Sequence, residues 1–373
     1  MKIFVSGGAG FLGSWLVQSL LNDGHYVVAV DSLIGGYKDN ITQATVGAGL
    51  RRGSAVAAVK ADGTHGTSKI WYEDDHRERC VFVETDISDL DQLDYITNIM
   101  RNCDIVYHTA ALAYEGLSVF SPTLITNNIV TGTTLLGTAA ARAGIKRFVN
   151  CSSMARYGTN EVPFKETLPP NPEDPYGIAK VAAEMQLNLL GKIHGFDVVN
   201  AAPHNIIGPR QKYDDPFRNV ASIMVNLMLR DRQPIIYGDG KQKRCFSFVT
   251  DDLFVLKKLM TCDLKEHGEV FNVGPDEEFV TINELAERIA TLLNFDLRIQ
   301  YHDVRPCEVQ LATCSADKIR ERFGYKTGVT LDEGLQCIID YIKGRGAKPF
   351  EYHLPIEIDN SAMLPRTWKE RLF

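Results

Sequence analysis

The sequence predicts an α/β protein, a doubly wound parallel sheet with a smaller C-terminal α/β lobe. Two observations carry this. Short apolar runs at residues 3–5, 26–30, 81–83, 105–107, 147–150 and 197–201 alternate with helical patterns, and such alternation gives parallel strands joined by helical crossovers. At the first junction stands Gly7-Gly8-Ala9-Gly10-Phe11-Leu12-Gly13, a glycine-rich turn between strand and helix.

The elements follow in order. After the strand at 3–5, Phe11, Leu12, Trp15, Leu16 and Leu20 recur at helical spacing until Asp23-Gly24. The next strand, 26–30, ends in Asp31. Strand, glycine turn, helix, strand and acid together fit a dinucleotide, whose pyrophosphate needs bare backbone and a helix N-terminus. Gly7 permits the tight turn, Gly10 lets phosphate approach, and Gly13 lets the helix pack on the strand. Asp31 stands where a carboxylate accepts hydrogen bonds from the adenosine ribose, and it would repel a 2′-phosphate, so NAD is expected rather than NADP. Helical patterns at 90–100, 122–143 and 176–193 separate the later strands. The nearly fifty residues between Asp31 and Val81 are about twice what a crossover needs, so 46–68 reads as a surface insertion. The expected division is 1–203 for the dinucleotide domain with 236–270 returning to it, 204–235 and 271–355 for a substrate lobe, and 356–373 for a tail docked through its apolar residues.

Composition narrows the function. The 373 residues carry a net charge of −7 with no basic run, which argues against nucleic-acid binding. No apolar stretch reaches the length of a membrane span. A first strand beginning at Lys2 leaves no room for a leader, and eight cysteines without a Cys-x-x-Cys pair read as reduced thiols, so a cytoplasmic location is expected. The nine histidines show no metal-ligand spacing, and no metal is expected.

The chemistry concentrates at Tyr176 and Lys180. Four residues apart in a helical run, they share one face. A tyrosine resting on a lysine stem is the ordinary explanation of such a pair. Its place decides otherwise: about 20 residues earlier, Ser152-Ser153-Met154-Ala155-Arg156-Tyr157-Gly158 follows the strand at 147–150, and the C-terminal ends of such strands are where ligands bind. A nearby ammonium is expected to lower the tyrosine pKa and make it a base.

With these motifs the chain resembles the extended short-chain dehydrogenases/reductases, a Rossmann-type family, and within it the NAD-dependent nucleotide-sugar epimerases and dehydratases, above all the UDP-glucuronate and UDP-glucose 4-epimerases. The resemblance spans nearly the whole chain apart from the insertion and the last thirty or so residues. It implies cofactor contacts at Gly7, Gly10, Phe11, Leu12, Gly13 and Asp31. It further implies Asp86 and Ile87 near the adenine, Ala110 and Ala111 in a His-x-Ala-Ala turn, and Asn128 supporting the active-site helix. It implies Ser153 as the catalytic hydroxyl and Tyr176 and Lys180 as the catalytic pair, both touching the cofactor. For the substrate it implies Ser152, Ser153, Asn205 and Asn219, with Arg244 and Arg305 clamping a nucleoside diphosphate and Glu308 holding a ribose; Arg218 and Arg210 are weaker candidates.

The resemblance implies 4-epimerisation: Tyr176 takes the 4-hydroxyl proton, hydride leaves C4 for NAD, and the 4-keto sugar turns and takes it back. It leans to the uronate, because the Ser-Ser-Met segment and the Pro203-His204-Asn205 turn resemble that branch more; Ser152 or Thr109 would hold a C6 carboxylate. Four departures stand out. Arg156 replaces an apolar residue, Ala202 an arginine and Ala113 a lysine, while Gly132-Thr133 comes one residue late after Asn128. A 4,6-dehydratase carries Thr-Asp-Glu, and a UDP-glucuronate decarboxylase Thr-Ser-Glu, where this chain has Ser153-Met154-Ala155. A regulatory NAD-binding protein would lose the tyrosine or lysine. The resemblance also implies a homodimer through the helices at 122–143 and 176–193, with Ile129, Leu136, Met185 and Leu189 the apolar residues shared between a partner and the sheet.

Overall fold

The structure is a computed structural model that describes residues 1–59 and 65–373. Eight strands come first: β1 (Lys2–Ser6), β2 (Tyr26–Asp31), β3 (Arg51–Val59), β4 (His65–Glu73), β5 (Glu78–Glu84), β6 (Ile105–His108), β7 (Arg147–Cys151) and β8 (Asp197–Pro203). With Glu269–Val273 they form, among the described residues, a sheet ordered Glu269–Val273, β8, β7, β6, β1, β2, β5, β4, β3. All neighbours run parallel except β5–β4 and β4–β3. The order reverses between β1 and β6, and that switch point opens a crevice at the strands' C-terminal ends.

Alternation along the buried strands sends side chains to both faces. Ile3 and Val5 join Leu16, Val27 and Phe271 on one side, while Phe4 joins Val106, Leu136, Phe148 and Val198 on the other. The helices that cover them are α1 (Phe11–Asn22), α2 (Lys38–Gly47), α3 (Leu93–Met100), α4 (Glu115–Ser118), α5 (Pro122–Thr126), α6 (Gly132–Ala143) and α7 (Pro175–His194), and α8 (Val220–Met228) belongs to the second lobe. A fully buried ring such as Phe148 contributes about 3–5 kcal/mol against truncation to alanine.

The span 46–68 supplies β3 and the start of β4, an antiparallel hairpin that lengthens the sheet beyond β5; residues 60–64 of that span lie outside the described residues. The returning segment differs from 236–270. Ile235–Tyr237 and Lys243–Cys245 pair within small sheets, whereas Glu269–Val273 pairs with β8 and Val249–Leu259 packs on α1. The late glycine after Asn128 has a physical cause. A π-helical turn, Asn127–Thr131, joins α5 to α6 and absorbs one extra residue. Gly132 thereby still faces Ile87, where a Cβ would meet Cγ1 at 3.2 Å.

A second core gathers Ile207, Val225, Leu285 and Ile339 under the substrate lobe. The last segment packs Trp368 edge-on against Phe217 and Phe120, at ring separations of 5.0 and 5.9 Å. Among the described residues, no helix is long and apolar enough to cross a membrane.

Candidate active site

One cavity lies over the switch point and runs into the second lobe. Every residue singled out from the sequence for cofactor or substrate lines it except Arg210, which stacks 4.2 Å over the Trp15 ring and donates to the Ser14 carbonyl at 3.3 Å. The cofactor end begins at the glycine turn. Gly7 holds φ +76°, and a Cβ there would lie 2.7 Å from the Ala110 nitrogen, so the turn after β1 and the turn after β6 touch backbone to backbone. The N-terminus of α1 carries no side-chain cap and no acid in its first turn. Its donors stay available to an anion, as a bound pyrophosphate requires. Asp31 accepts from the Leu33 nitrogen at 2.7 Å and the Ala9 nitrogen at 3.0 Å. Burial raises its pKa, opposed by those backbone donors and by Arg218. Asp86, after β5, accepts from the nitrogen and hydroxyl of Ser88, each at 2.8 Å.

Asn128 differs from its expected role. Its Oδ1 accepts from the Leu112 nitrogen at 2.8 Å, so it anchors the turn after β6 rather than α7. Beside it His108 is wedged between the Ser6 hydroxyl (2.7 Å) and the Thr133 hydroxyl (2.8 Å), and burial pushes its pKa down to about 3.

Tyr176 and Lys180 stand on the first turns of α7, whose start is set by Pro175 and by Asp174, which accepts from the Gly177 nitrogen at 2.7 Å. Lys180 Nζ donates to the Cys151 carbonyl at 2.9 Å and lies 5.9 Å from the Tyr176 ring centre. The expected lowering of the Tyr176 pKa is corrected here. Burial dominates and raises it, with the Ser153 hydroxyl pulling the other way. Burial also pushes Lys180 down to about 8. With water excluded, neither charged form is solvated, and the lysine hydrogen-bonds a carbonyl rather than the phenol.

Ser153 caps the turn that follows β7, accepting from the Ala155 nitrogen at 3.1 Å. Ser152 is corrected as a donor to substrate: its hydroxyl donates to Glu184 of α7 at 2.8 Å. Arg156 pairs with the other Glu184 oxygen at 2.9 Å, which explains a charged residue in an apolar register. Thr109 likewise donates to the Ser6 carbonyl at 2.7 Å.

At the far end, Asn219 caps α8 through the Ala221 nitrogen and Asn205 donates to the Cys245 carbonyl at 2.9 Å. Arg305 places Nε and Nη2 on one Glu308 oxygen at 2.9 and 2.6 Å, and Arg244 reaches the other at 3.4 Å. Two guanidiniums thus share one carboxylate. Sequence reasoning passed over Glu115, which lines the same cavity, and ranked Arg218 too low. Arg218 lies 4.5 Å over the Tyr114 ring and donates to the Gly35 carbonyl at 2.7 Å. Among the described residues, no group of three or more His, Cys, Asp or Glu is arranged to hold a metal ion.

A glycine-cradled dinucleotide cleft beside a buried serine, tyrosine and lysine defines the class, and comparison agrees. Residues 3–274 match the model of the NAD dependent epimerase/dehydratase family, and the chain belongs to that family. Its cofactor is NAD. The UDP-glucose 4-epimerase of Mycolicibacterium smegmatis is 30% identical over 351 residues, covering 92% of this chain and 99% of that one. The structure of UDP-glucuronic acid 4-epimerase from Bacillus cereus, in complex with UDP-glucuronic acid and NAD, superposes with a TM-score of 0.77 at 25% identity, over 93% and 100% of the two chains. The dTDP-D-glucose 4,6-dehydratase of Mus musculus is 26% identical over 92% of this chain and 88% of that one.

Proposed function

We propose that the chain catalyses reversible 4-epimerisation of a UDP-sugar, UDP-glucose or UDP-glucuronate. The observation that carries this is the meeting of Ser153, Tyr176 and Lys180 on one wall of the cavity, with Arg244 and Arg305 further along it. Tyr176 takes the proton of the sugar 4-hydroxyl. Ser153 hydrogen-bonds O4 as charge develops there. Lys180, held by the Cys151 carbonyl, would hold the nicotinamide ribose beside the base. NAD, when bound, would supply reversible hydride exchange with C4 of the sugar. Asp31 holds the adenosine ribose and the open N-terminus of α1 receives the pyrophosphate. Arg244 and Arg305 trade part of their pairing with Glu308 for the substrate diphosphate, which frees Glu308 for the ribose.

A dehydratase needs an acid and a base where this chain has Met154 and Ala155, and neither side chain carries a proton to transfer. A non-enzymatic NAD-binding protein has no use for a buried Tyr176 and Lys180. We further propose a homodimer through α7, whose Ile178, Met185, Leu189 and Ile193 are each more than half exposed. Of the four apolar residues named from the sequence, Ile129 and Leu136 are the ones buried in the body. Cytoplasmic location is supported by eight free cysteines. The test is incubation with a panel of nucleotide sugars without added cofactor, followed by separation of the stereoisomers. A C4 epimer is expected, and bound NAD with no turnover on any sugar would contradict the proposal.

A further inference from the structure

Glu115 opens α4 directly after Tyr114, whose buried hydroxyl donates to Asp215 at 2.7 Å. That anchor fixes where the Glu115 backbone starts. The next residue, Gly116, is seated so close to Arg305 that a Cβ would lie 3.0 Å from Nη1. The Glu115 side chain therefore enters the cavity between two groups. It lines that cavity together with Tyr176 and with Arg244, Arg305 and Glu308; burial raises its pKa, opposed by the two arginines. Both arginines already pair with Glu308, and Glu115 faces the cavity where the sugar must lie between base and diphosphate.

The other polar groups at that end point the same way. A C6 carboxylate needs donors. The single hydroxyl hydrogens of Ser152 and Thr109 are spent on Glu184 and on the Ser6 carbonyl, which leaves only lone pairs for a ligand. Arg218 lies 3.7 Å from Asp215, which balances its charge, and donates to the Gly35 carbonyl at 2.7 Å. Sugar hydroxyls, by contrast, are donors that a carboxylate accepts well.

Resting on the nucleotide-sugar reading of this cavity, we infer that Glu115 determines sugar specificity: it accepts hydrogen bonds from the hydroxyls of a neutral hexose and repels a hexuronate. This reverses the lean toward the uronate drawn from sequence resemblance.

The test measures binding of UDP-glucose and UDP-glucuronate to the NAD-loaded protein by titration calorimetry, in the native chain and in Glu115→Gln and Glu115→Asp. The native protein should bind UDP-glucose at least ~10-fold more tightly, since like charges in a desolvated site repel strongly. Glu115→Gln should narrow that gap to about threefold or less, chiefly by improving UDP-glucuronate, and Glu115→Asp should keep it. Equal or tighter native binding of UDP-glucuronate, or a gap untouched by Glu115→Gln, would overturn the inference. Failure to bind either sugar nucleotide would overturn it together with the reading beneath it. Discrimination through Glu115 without inversion at C4 would sink the reaction and leave this inference standing.

Discussion

Lys180 Nζ lies 5.9 Å from the centre of the Tyr176 ring, held there by a 2.9 Å hydrogen bond to the Cys151 carbonyl at the end of β7. The lysine thus answers to the strand as well as to its own helix, and the pair is presented to the cavity as a unit. Tyr176→Phe keeps the ring and loses only the hydroxyl. Turnover should fall at least ~100-fold, as loss of a positioned base requires, while bound NAD, read by absorbance after denaturation, stays unchanged. Near-normal turnover in that variant would remove the tyrosine from the mechanism.

Asp31 serves two ends, a ribose and the backbone donors of Ala9 and Leu33. Direct titration should show the native protein preferring NAD to NADP by more than about tenfold, since a 2′-phosphate would meet a carboxylate. Asp31→Ala should narrow that ratio and weaken NAD itself. Equal native affinities would deny Asp31 its ribose.

His108 and His204 are buried and held neutral, with pKa values pushed down by burial to about 3 and about 4. The sign follows directly. The unfolded chain protonates both near pH 6.5 and the folded chain does not, so their contribution is complete above pH 6.5 and is lost as pH falls toward the folded values. Between pH 7 and 5 each should cost about 2 kcal/mol of stability. Thermal unfolding of His108→Gln across that range should slope less steeply than the native chain; parallel slopes would show that His108 is not held neutral.

The stripe Ile178, Met185, Leu189 and Ile193 runs along α7 at seven- and four-residue steps and stays exposed in the single chain. Light scattering at micromolar concentration should give twice the chain mass, and Met185→Glu with Leu189→Glu should give the monomer. A native monomer would leave the stripe without its proposed partner.

The parts of the molecule that read clearly in sequence are those set by local chemistry. The Gly7–Gly13 turn, Asp31 at the end of β2 and the Tyr176/Lys180 spacing are each defined within a few residues, and all reach the one cavity. The parts that did not read depend on segments far apart in the chain. Glu115 sits on a four-residue helix with no period to betray it, and only the fold brings it to Arg305. Arg156 looked out of place because its partner, Glu184, lies 28 residues on. The hairpin β3–β4 is rich in small and polar residues, and only its pairing with β5 marks it as sheet. The Tyr176 pKa was misjudged because spacing reports the lysine but not the loss of water around both groups.

The most direct test of the central claim follows the hydrogen at C4. UDP-glucose deuterated at C4 should be converted by the purified protein, with no added cofactor, to the C4 epimer with deuterium retained at C4 and the reaction reversible from either side. Deuterium washed out to solvent, or a 4-keto-6-deoxy product formed by loss of water, would contradict the account.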